Sequence, residues 1–463
     1  VFAKVLVANR GEIARRVMRT CKRMGIRTVA VHSEADADAP HVHDADEAIA
    51  IGPPPAKDSY LKIDALIEAI ARTGADAVHP GYGFLSEKPA FARAVAESGA
   101  VFIGPPPAVL DAFGDKMKAR SVALAAGTAP VPGTREPVAI GSPESREHAR
   151  QVARTVGYPV IVKAVGGGGG IGMQVVHAEE GLDRALITCS ERGRSAFADP
   201  RVYLERYLAE PRHIEVQIFA DRHGNYHALG ERECSVQRRH QKIVEESPSP
   251  AAFFTGPGEE RRRALHEAAL RVVASVGYVG AGTCEFIADA SGELHFLEVN
   301  ARLQVEHVVT EMVTGLDLVE LQLRVAAGEV LPDLSRVART GHAIEARVYA
   351  EDPARGFIPK PGAVDELVWA GGAGEAQTAD LRVESAVRAG SKVTPYYDPM
   401  IAKIIAHGAT RDAAIETLDR ALAGTTIAPC VTNLSFLRKV LATPAFREGR
   451  YDTGFAEALA KSK

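Results

Sequence analysis

The stretch from Phe296 to His307 carries two carboxylates (Glu298, Glu306), two amides (Asn300, Gln304), a guanidinium (Arg302) and an imidazole (His307). Read as an extended chain with period 2, Glu298, Asn300 and Arg302 share one face, and Leu297, Val299 and Ala301 the other. The preceding run Gly282 to Ile287 has strand character, and Asp289-Ala290-Ser291-Gly292 supplies turn chemistry. A hairpin follows, with Glu285 opposite Glu298. Two carboxylates and an amide oxygen are hard ligands of the kind Mg²⁺ accepts beside water and nucleotide phosphates. The plain alternative is a solvated strand face with a lone ion pair.

A second chemical feature follows the apolar strand Pro159 to Ala164, which ends in Lys163. Glycines occupy positions 166 to 170, then Ile171, Gly172 and Met173. Backbone N–H groups without a Cβ in the way can approach an anion, and Lys163 adds a point charge. No Gly-Lys-Ser/Thr follows, and Met173 to Val176 reads as a strand, so the loop joins two strands as a flap over phosphates would. A flexible linker is the competing reading. The cluster from Glu231 to Lys242 alternates donors and acceptors without an apolar helical face, and fits either a solvated edge strand or the lining of an anion pocket. Glu245-Glu246 and Pro248 after Lys242 suggest an ordered turn.

These groups need a scaffold, and the chain of 463 residues is long enough for about three domains. With 46% apolar and 25% charged residues it has the composition of an ordered globular protein. A formal net charge of −4 gives no reason to expect nucleic acid or an anionic membrane as partner. Cys21, Cys189, Cys234, Cys284 and Cys430 form no Cys-x-x-Cys pair and suggest neither disulfides nor zinc. Cys234, although near the charged cluster, reads as a small buried hydrophobe and not as a nucleophile. No signal-like or membrane-spanning run is present, so a cytoplasmic location is expected.

From the N-terminus, strands at Lys4–Ala8, Thr28–His32, Ala77–His79 and Val101–Gly104 alternate with helices at Glu12–Met24, Ile63–Thr73 and Ala90–Ser98. This pattern predicts a parallel, doubly wound sheet. The expected units are an N-terminal α/β domain over 1–113, a central domain over 114–333, a C-terminal mixed domain over 334–447 and a tail over 448–463. The last domain should open with strands near Ala343–Tyr349, pass glycine turns near 371–374 and include a helix over Arg411–Leu422.

Five segments in order, Ala8 to Ala14, His79 to Glu87, the glycine loop, Arg238 to Lys242 and Glu298 to His307, resemble the biotin carboxylase family over nearly the whole chain. The resemblance implies an ATP-grasp fold with a mobile glycine-loop lid over about 131–204. It also implies ATP-dependent carboxylation of biotin by bicarbonate through carboxyphosphate. By resemblance, Lys116, Lys163 and His213 contact nucleotide phosphates, with backbone donors from Gly168, Gly169 and Gly170. Glu205 and Leu208 contact adenine, Gln237 and His240 lie by ribose or phosphate, and Met173 and Ile287 complete the nucleotide contacts. Glu285, Glu298 and Asn300 match ligands for Mg²⁺ or Mn²⁺. Lys242, Arg302, Gln304 and the Val305 backbone match the bicarbonate site, where a guanidinium fork suits a planar anion. Glu306 resembles the general base, Arg347 the arginine that steadies the biotin enolate, and Tyr82 a contact to the biotin ring.

Departures from the family pattern are Ile171 and Gln174 in and after the loop, where basic residues are usual, Arg206 for a lysine, Arg23 for an acidic residue, and a longer, glycine-rich Val368–Arg382. The last two leave homodimerisation open. The Met-Lys-Met of a biotin acceptor is absent. The expected carrier is therefore a biotin carboxyl carrier protein or domain, in another chain or beyond Lys463, with a carboxyltransferase subunit of an acyl-CoA carboxylase acting next. Two rivals share part of the pattern: another ATP-grasp ligase of the carbamoyl-phosphate synthetase kind, and a nucleotide-binding regulator without catalysis. Gln304 to His307 and His79 to Tyr82 favour biotin over the first, and intact Glu285, Glu298, Arg302, Glu306 and Arg347 speak against the second.

Overall fold

A computed structural model describes residues 1–166, 172–370, 375 and 377–462, with Pro257 described in its backbone alone. The N-terminal unit is a five-stranded parallel sheet of β1 (Lys4–Val7), β2 (Arg27–Ser33), β3 (Glu47–Gly52), β4 (Ala77–His79) and β5 (Val101–Phe102), in the order β3-β2-β1-β4-β5. Val5, Leu6 and Val7 are wholly buried because helices cover both faces, so β1 reads as a continuous apolar run. Strand β3 lies at the edge and is absent from the sequence reading. The end of β1 is tied to the segment after β4: Asn9 Nδ2 donates to Pro80 O and Tyr82 O, both at 2.8 Å. Glycine is required at 81, where φ is +63° and a Cβ would stand 2.7 Å from the Asn9 amide nitrogen.

A small antiparallel sheet follows, β6 (Val160–Ala164) between β7 (Met173–Val176) and β8 (Val202–Arg206). Strands β6 and β7 are the two expected on either side of the glycine loop. Val160, Val162, Leu204 and, from the helix Leu182–Phe197, Leu186 give this sheet a core of its own.

The largest sheet has eight strands in the order β13-β12-β9-β10-β11-β14-β16-β15, all neighbours antiparallel. They are β9 (Arg212–Ala220), β10 (Tyr226–Arg238), β11 (Gln241–Ser247), β12 (Gly280–Ala288), β13 (Leu294–Asn300), β14 (His342–Tyr349), β15 (Leu381–Ser385) and β16 (Met400–Gly408). The pairing of β11 with β14 carries this sheet across residue 334 without a break. The helix Arg411–Ala423 packs on its C-terminal half, with Ile415 and Leu418 in one core with Ile344 and Ile404.

Two readings of the charged cluster are corrected here. Strand β10 is not a solvated edge; it lies inside the sheet, and Glu231, Arg232, Glu233, Ser235, Gln237 and Arg238 are buried. Residues 242–247 are strand β11, not a turn. The chain reverses at Arg239 and His240, with φ of +49° and +65°, between the paired Arg238 and Gln241. No helix among the described residues is long and apolar enough to cross a membrane.

Candidate active site

Register explains how the site assembles. Glu298 on β13 pairs with Glu285 on β12, Glu285 with Glu215 on β9, and Glu215 with Arg232 on β10. Four charged residues therefore form a row across four strands, on one face. Side chains on that face meet from β11 as well: Lys242 Nζ donates to Glu215 Oε2 at 2.6 Å, Glu306 Oε1 at 2.7 Å and Glu285 Oε1 at 2.9 Å. One ammonium thus holds three carboxylates.

Arg232, with no exposed surface, donates five hydrogen bonds, to Glu215, Gln217, Thr310, Thr283 and Gln304. Removing one partner from such a buried network costs about 3–5 kcal/mol, because the other charge is left without compensation. Glu215 escaped the sequence reading and Arg232 entered it only within the Glu231–Lys242 cluster, although the alternation His213-Ile214-Glu215-Val216-Gln217 in an otherwise apolar strand is a signal for a polar row.

Glu306, just before the helix His307–Thr314, is 2% exposed and receives Arg347 Nη2 at 3.0 Å on its second oxygen. Burial disfavours its charge, yet Lys242, Arg347 and Arg232 outweigh that and hold its pKa well below the ordinary carboxylate value. Arg347 also reaches Glu245 Oε1 at 2.5 Å. Its Nε is buried and has no partner among the described residues. Gln304 links the two networks, taking Arg232 Nη2 at 2.8 Å and giving Nε2 to Glu285 Oε1 at 2.9 Å. Val305 O accepts from the buried Lys403 at 2.7 Å. Arg302 is fixed by Glu87 Oε2 at 2.9 Å, Asn300 Oδ1 at 3.0 Å and Leu303 O at 3.2 Å. Tyr82 donates its hydroxyl to Glu12.

Beside this network lies a cleft of about 480 Å³ bordered by Glu87, Lys116, Gly166, Glu298 and Asn300. Lys116 Nζ stands 3.7 Å from Glu298 Oε2 as an ion pair, and the Glu298 carboxylate accepts no hydrogen bond among the described residues. Asn300 gives its amide N–H to Glu285 Oε1 at 2.8 Å. Glu298 and Asn300 border the cleft and Glu285 is buried next to Asn300, and the hard oxygens of this set fit a divalent magnesium-like ion. A different trio, His213, Glu215 and Glu285, also brings ligand atoms within 4.8 Å of one another. The Lys242 ammonium already supplies the cation there.

The nucleotide-side residues divide between two sheets. Lys163, Met173 and Glu205 share a face of the small sheet, where Lys163 is ion-paired to Glu205 and Arg120 Nη1 donates to Glu205 at 2.8 Å. Leu208 is buried nearby in sequence. His213 is hydrogen-bonded on Nδ1 to Gln237 Nε2 at 3.0 Å, its Nε2 stands 3.0 Å from Glu285 Oε2 as a charge contact without hydrogen-bond alignment, and Ile287 is its register partner on β12. His240 stands exposed at the β10–β11 turn. Gly168, Gly169, Gly170 and Ile171 lie outside the described residues. Cys234 is fully buried, its thiol pKa pushed well above the ordinary value by burial and then by Glu215, which leaves it no nucleophilic role.

Comparison with known proteins agrees with this geometry over the whole chain. Residues 1–110 match the family described as biotin carboxylase, N-terminal domain, and residues 345–458 the biotin carboxylase C-terminal domain. Residues 115–334 match carbamoyl-phosphate synthase L chain, ATP binding domain. The biotin carboxylase of Halalkalibacterium halodurans is 47% identical over 464 residues, covering 100% of this chain and 99% of the relative. The methylcrotonoyl-CoA carboxylase subunit alpha of Oryza sativa subsp. japonica is 47% identical over 456 residues, and there the match spans 98% of this chain but 60% of the relative. A solved structure of the biotin carboxylase domain dimer of Hydrogenobacter thermophilus 2-oxoglutarate carboxylase, in complex with MgADP, ADP and bicarbonate, is similar with a TM-score of 0.91 and 40% identity. It covers 100% of this chain and 99% of that one.

Proposed function

This chain belongs to the biotin carboxylase family, and from that premise we infer that it uses ATP and bicarbonate to carboxylate biotin, releasing ADP and phosphate. The observation that carries this reading is the Glu306 carboxylate held between Lys242 at 2.7 Å and Arg347 at 3.0 Å, with Arg302 anchored on Glu87 beside the cleft.

Lys242, Arg302, Gln304 and the Val305 backbone take bicarbonate, and the arginine fork fits its planar oxygens. Glu306 removes the bicarbonate proton. Its low pKa makes it a weak base while Lys242 is devoted to it, and an anion drawn to the same ammonium shares that positive charge and raises the proton affinity of Glu306. The resulting carbonate oxygen attacks the γ-phosphorus, the bond to the β-phosphate oxygen breaks, and carboxyphosphate and ADP form. Carboxyphosphate splits to CO₂ and phosphate, and phosphate takes the ureido N–H proton of biotin. The nitrogen then attacks CO₂, while the Arg347 N–H groups stabilise negative charge on the ureido oxygen. Tyr82 lines the ring site.

Lys116, Lys163 and the glycine loop hold the phosphates, Glu205 and Leu208 the base, and Gln237, His240, Met173 and Ile287 flank the nucleotide. A metal ion held by Glu285, Glu298 and Asn300 would supply charge neutralisation at the β- and γ-phosphates. The biotin ring arrives on a carrier protein or domain, and a carboxyltransferase subunit of an acyl-CoA carboxylase takes the carboxyl group onward. A homodimer is compatible with the same reading, supported by the dimer that the similar Hydrogenobacter thermophilus domain forms.

Steady-state ADP release with Mg²⁺ and bicarbonate, with and without free biotin, tests the reading. Stimulation by biotin is expected. Turnover indifferent to biotin would contradict the acceptor, and absence of turnover would contradict an enzyme.

A further inference from the structure

Behind Arg347 the sheet buries more acid than its cations balance. Glu245 on β11 and Glu345 on β14 are register partners, so their side chains leave the same face next to each other. Both have 0% exposure, and neither accepts a well-aligned hydrogen bond among the described residues. The nearby cations are shared with other groups. Arg347 Nη2 divides between Glu245 at 2.5 Å and Glu306 at 3.0 Å, and Lys403 gives its proton to Val305 O at 2.7 Å and stands 3.3 Å from Glu12. Two full negative charges placed opposite each other in a dry interior would cost several kcal/mol per ion.

We propose that Glu245 and Glu345 share one proton and act as a single monoanionic pair, which seats the Arg347 guanidinium and leaves its Nε N–H for substrate. The electrostatic surroundings agree. Burial pushes Glu245 up to about 7 against the pull of Arg347, with Glu306 adding to the rise. Burial likewise lifts Glu345 well above the carboxylate range against the pull of Lys403. The groups that face the pair are Arg347 and Tyr349 from β14, Lys242 from β11, Cys234 from β10, Lys403 from β16, Glu306 and Tyr82. The helix His307–Thr314, whose Val308, Val309 and Val313 share an apolar cluster with Ala343 and Ile405, adds His307, which burial and then Lys403 keep neutral.

The shared proton stands on the packing alone, while its bearing on turnover rests on the role proposed for Arg347. A carboxyl whose pKa is raised on folding costs stability as pH climbs from the ordinary carboxylate value toward the raised one, because only the unfolded chain ionises freely there. Glu345→Gln imitates the neutral form and removes that cost. The melting temperature of the variant is therefore expected to match wild type near about pH 5 and to exceed it by a few degrees near about pH 8. A variant that is less stable by a margin widening with pH would make Glu345 an ordinary ionised partner of Lys403 and overturn the proposal, as would a difference independent of pH.

Glu245→Gln serves as the second variant, and failure of both to fold would also overturn it, since a neutral isostere must fit where a protonated carboxyl sits. For turnover, Glu345→Ala is expected to lower biotin-stimulated ADP release by about tenfold, a displaced rather than deleted arginine, with Glu345→Gln close to wild type. Equal rates in the two variants would refute the seating role, and they would do so whether or not the stability result holds.

Discussion

Lys242 Nζ stands 2.7 Å from Glu306 Oε1, a cation pressed against the carboxylate that removes the bicarbonate proton in our reading. The contact keeps Glu306 ionised, at the expense of its basicity. Lys242→Met takes away that stabilisation, so the Glu306 pKa rises. A base works above its pKa, and the acid limb of the turnover profile should therefore move to higher pH, with a lower plateau because the bicarbonate contact that we assign to Lys242 is lost. A pH–rate series of variant and wild type checks this, and an acid limb that stays in place would remove Lys242 as the group that sets Glu306.

Glu306→Gln keeps the shape and the acceptor for Lys242 but cannot take a proton. Turnover should fall by a factor on the order of 10² or more, with ATP binding largely spared. Measured kcat and the KM for ATP separate the two effects. Near-normal turnover would assign the proton to another acceptor.

Glu205 holds Lys163 by an ion pair and Arg120 at 2.8 Å, which places the lysine that we assign to phosphate and the carboxylate that we assign to the base in one cluster. Glu205→Gln keeps an acceptor but removes the charge that anchors Lys163. The expected result is a rise of about tenfold in the KM for ATP, or about 1.4 kcal/mol of binding, with a smaller change in kcat. Nucleotide titration would show whether binding or chemistry has suffered.

Glu246 ties β11 to the C-terminal region through Arg411 at 2.7 and 2.9 Å, His342 at 2.5 Å, and the Tyr451 hydroxyl. Burial disfavours its charge, but Arg411 and His342 bring its pKa down to about 2. A depressed carboxylate contributes stability that is present above its unfolded pKa and lost as pH falls through the folded one. Glu246→Gln should therefore cost roughly 3 kcal/mol at neutral pH, and the penalty should shrink between about pH 4.5 and about pH 2. Denaturant unfolding at several pH values measures it.

The hairpin that pairs Glu285 with Glu298 was legible because its signals are local. Period-2 polarity marks both strands, and Asp289 Oδ1 closes the turn by accepting from Ser291 N at 2.9 Å and Glu293 N at 3.0 Å. The doubly wound N-terminal sheet was legible for the same reason. Strand β10 was not, since a buried strand rich in Glu and Arg has the same composition as a solvated one. What distinguishes them is a partner such as Glu215 for Arg232, and that pairing depends on the register of β9 with β10. Glu87, Glu245 and Glu345 acquire their places only when β11, β13 and β14 have been brought together, and nothing within a short window announces it. The Arg239–His240 turn lacks the Gly or Asn that normally advertises positive φ.

In our reading this chain transfers a carboxyl group from bicarbonate to biotin at the expense of ATP. The direct measurement is ATP-dependent incorporation of isotope-labelled bicarbonate carbon into biotin, with Glu306→Gln run alongside. Labelled carboxybiotin that requires ATP and Mg²⁺ and falls by about 10² or more in the variant is the predicted result. ATP hydrolysis without label in biotin, whether free or on a carrier protein, would contradict the account.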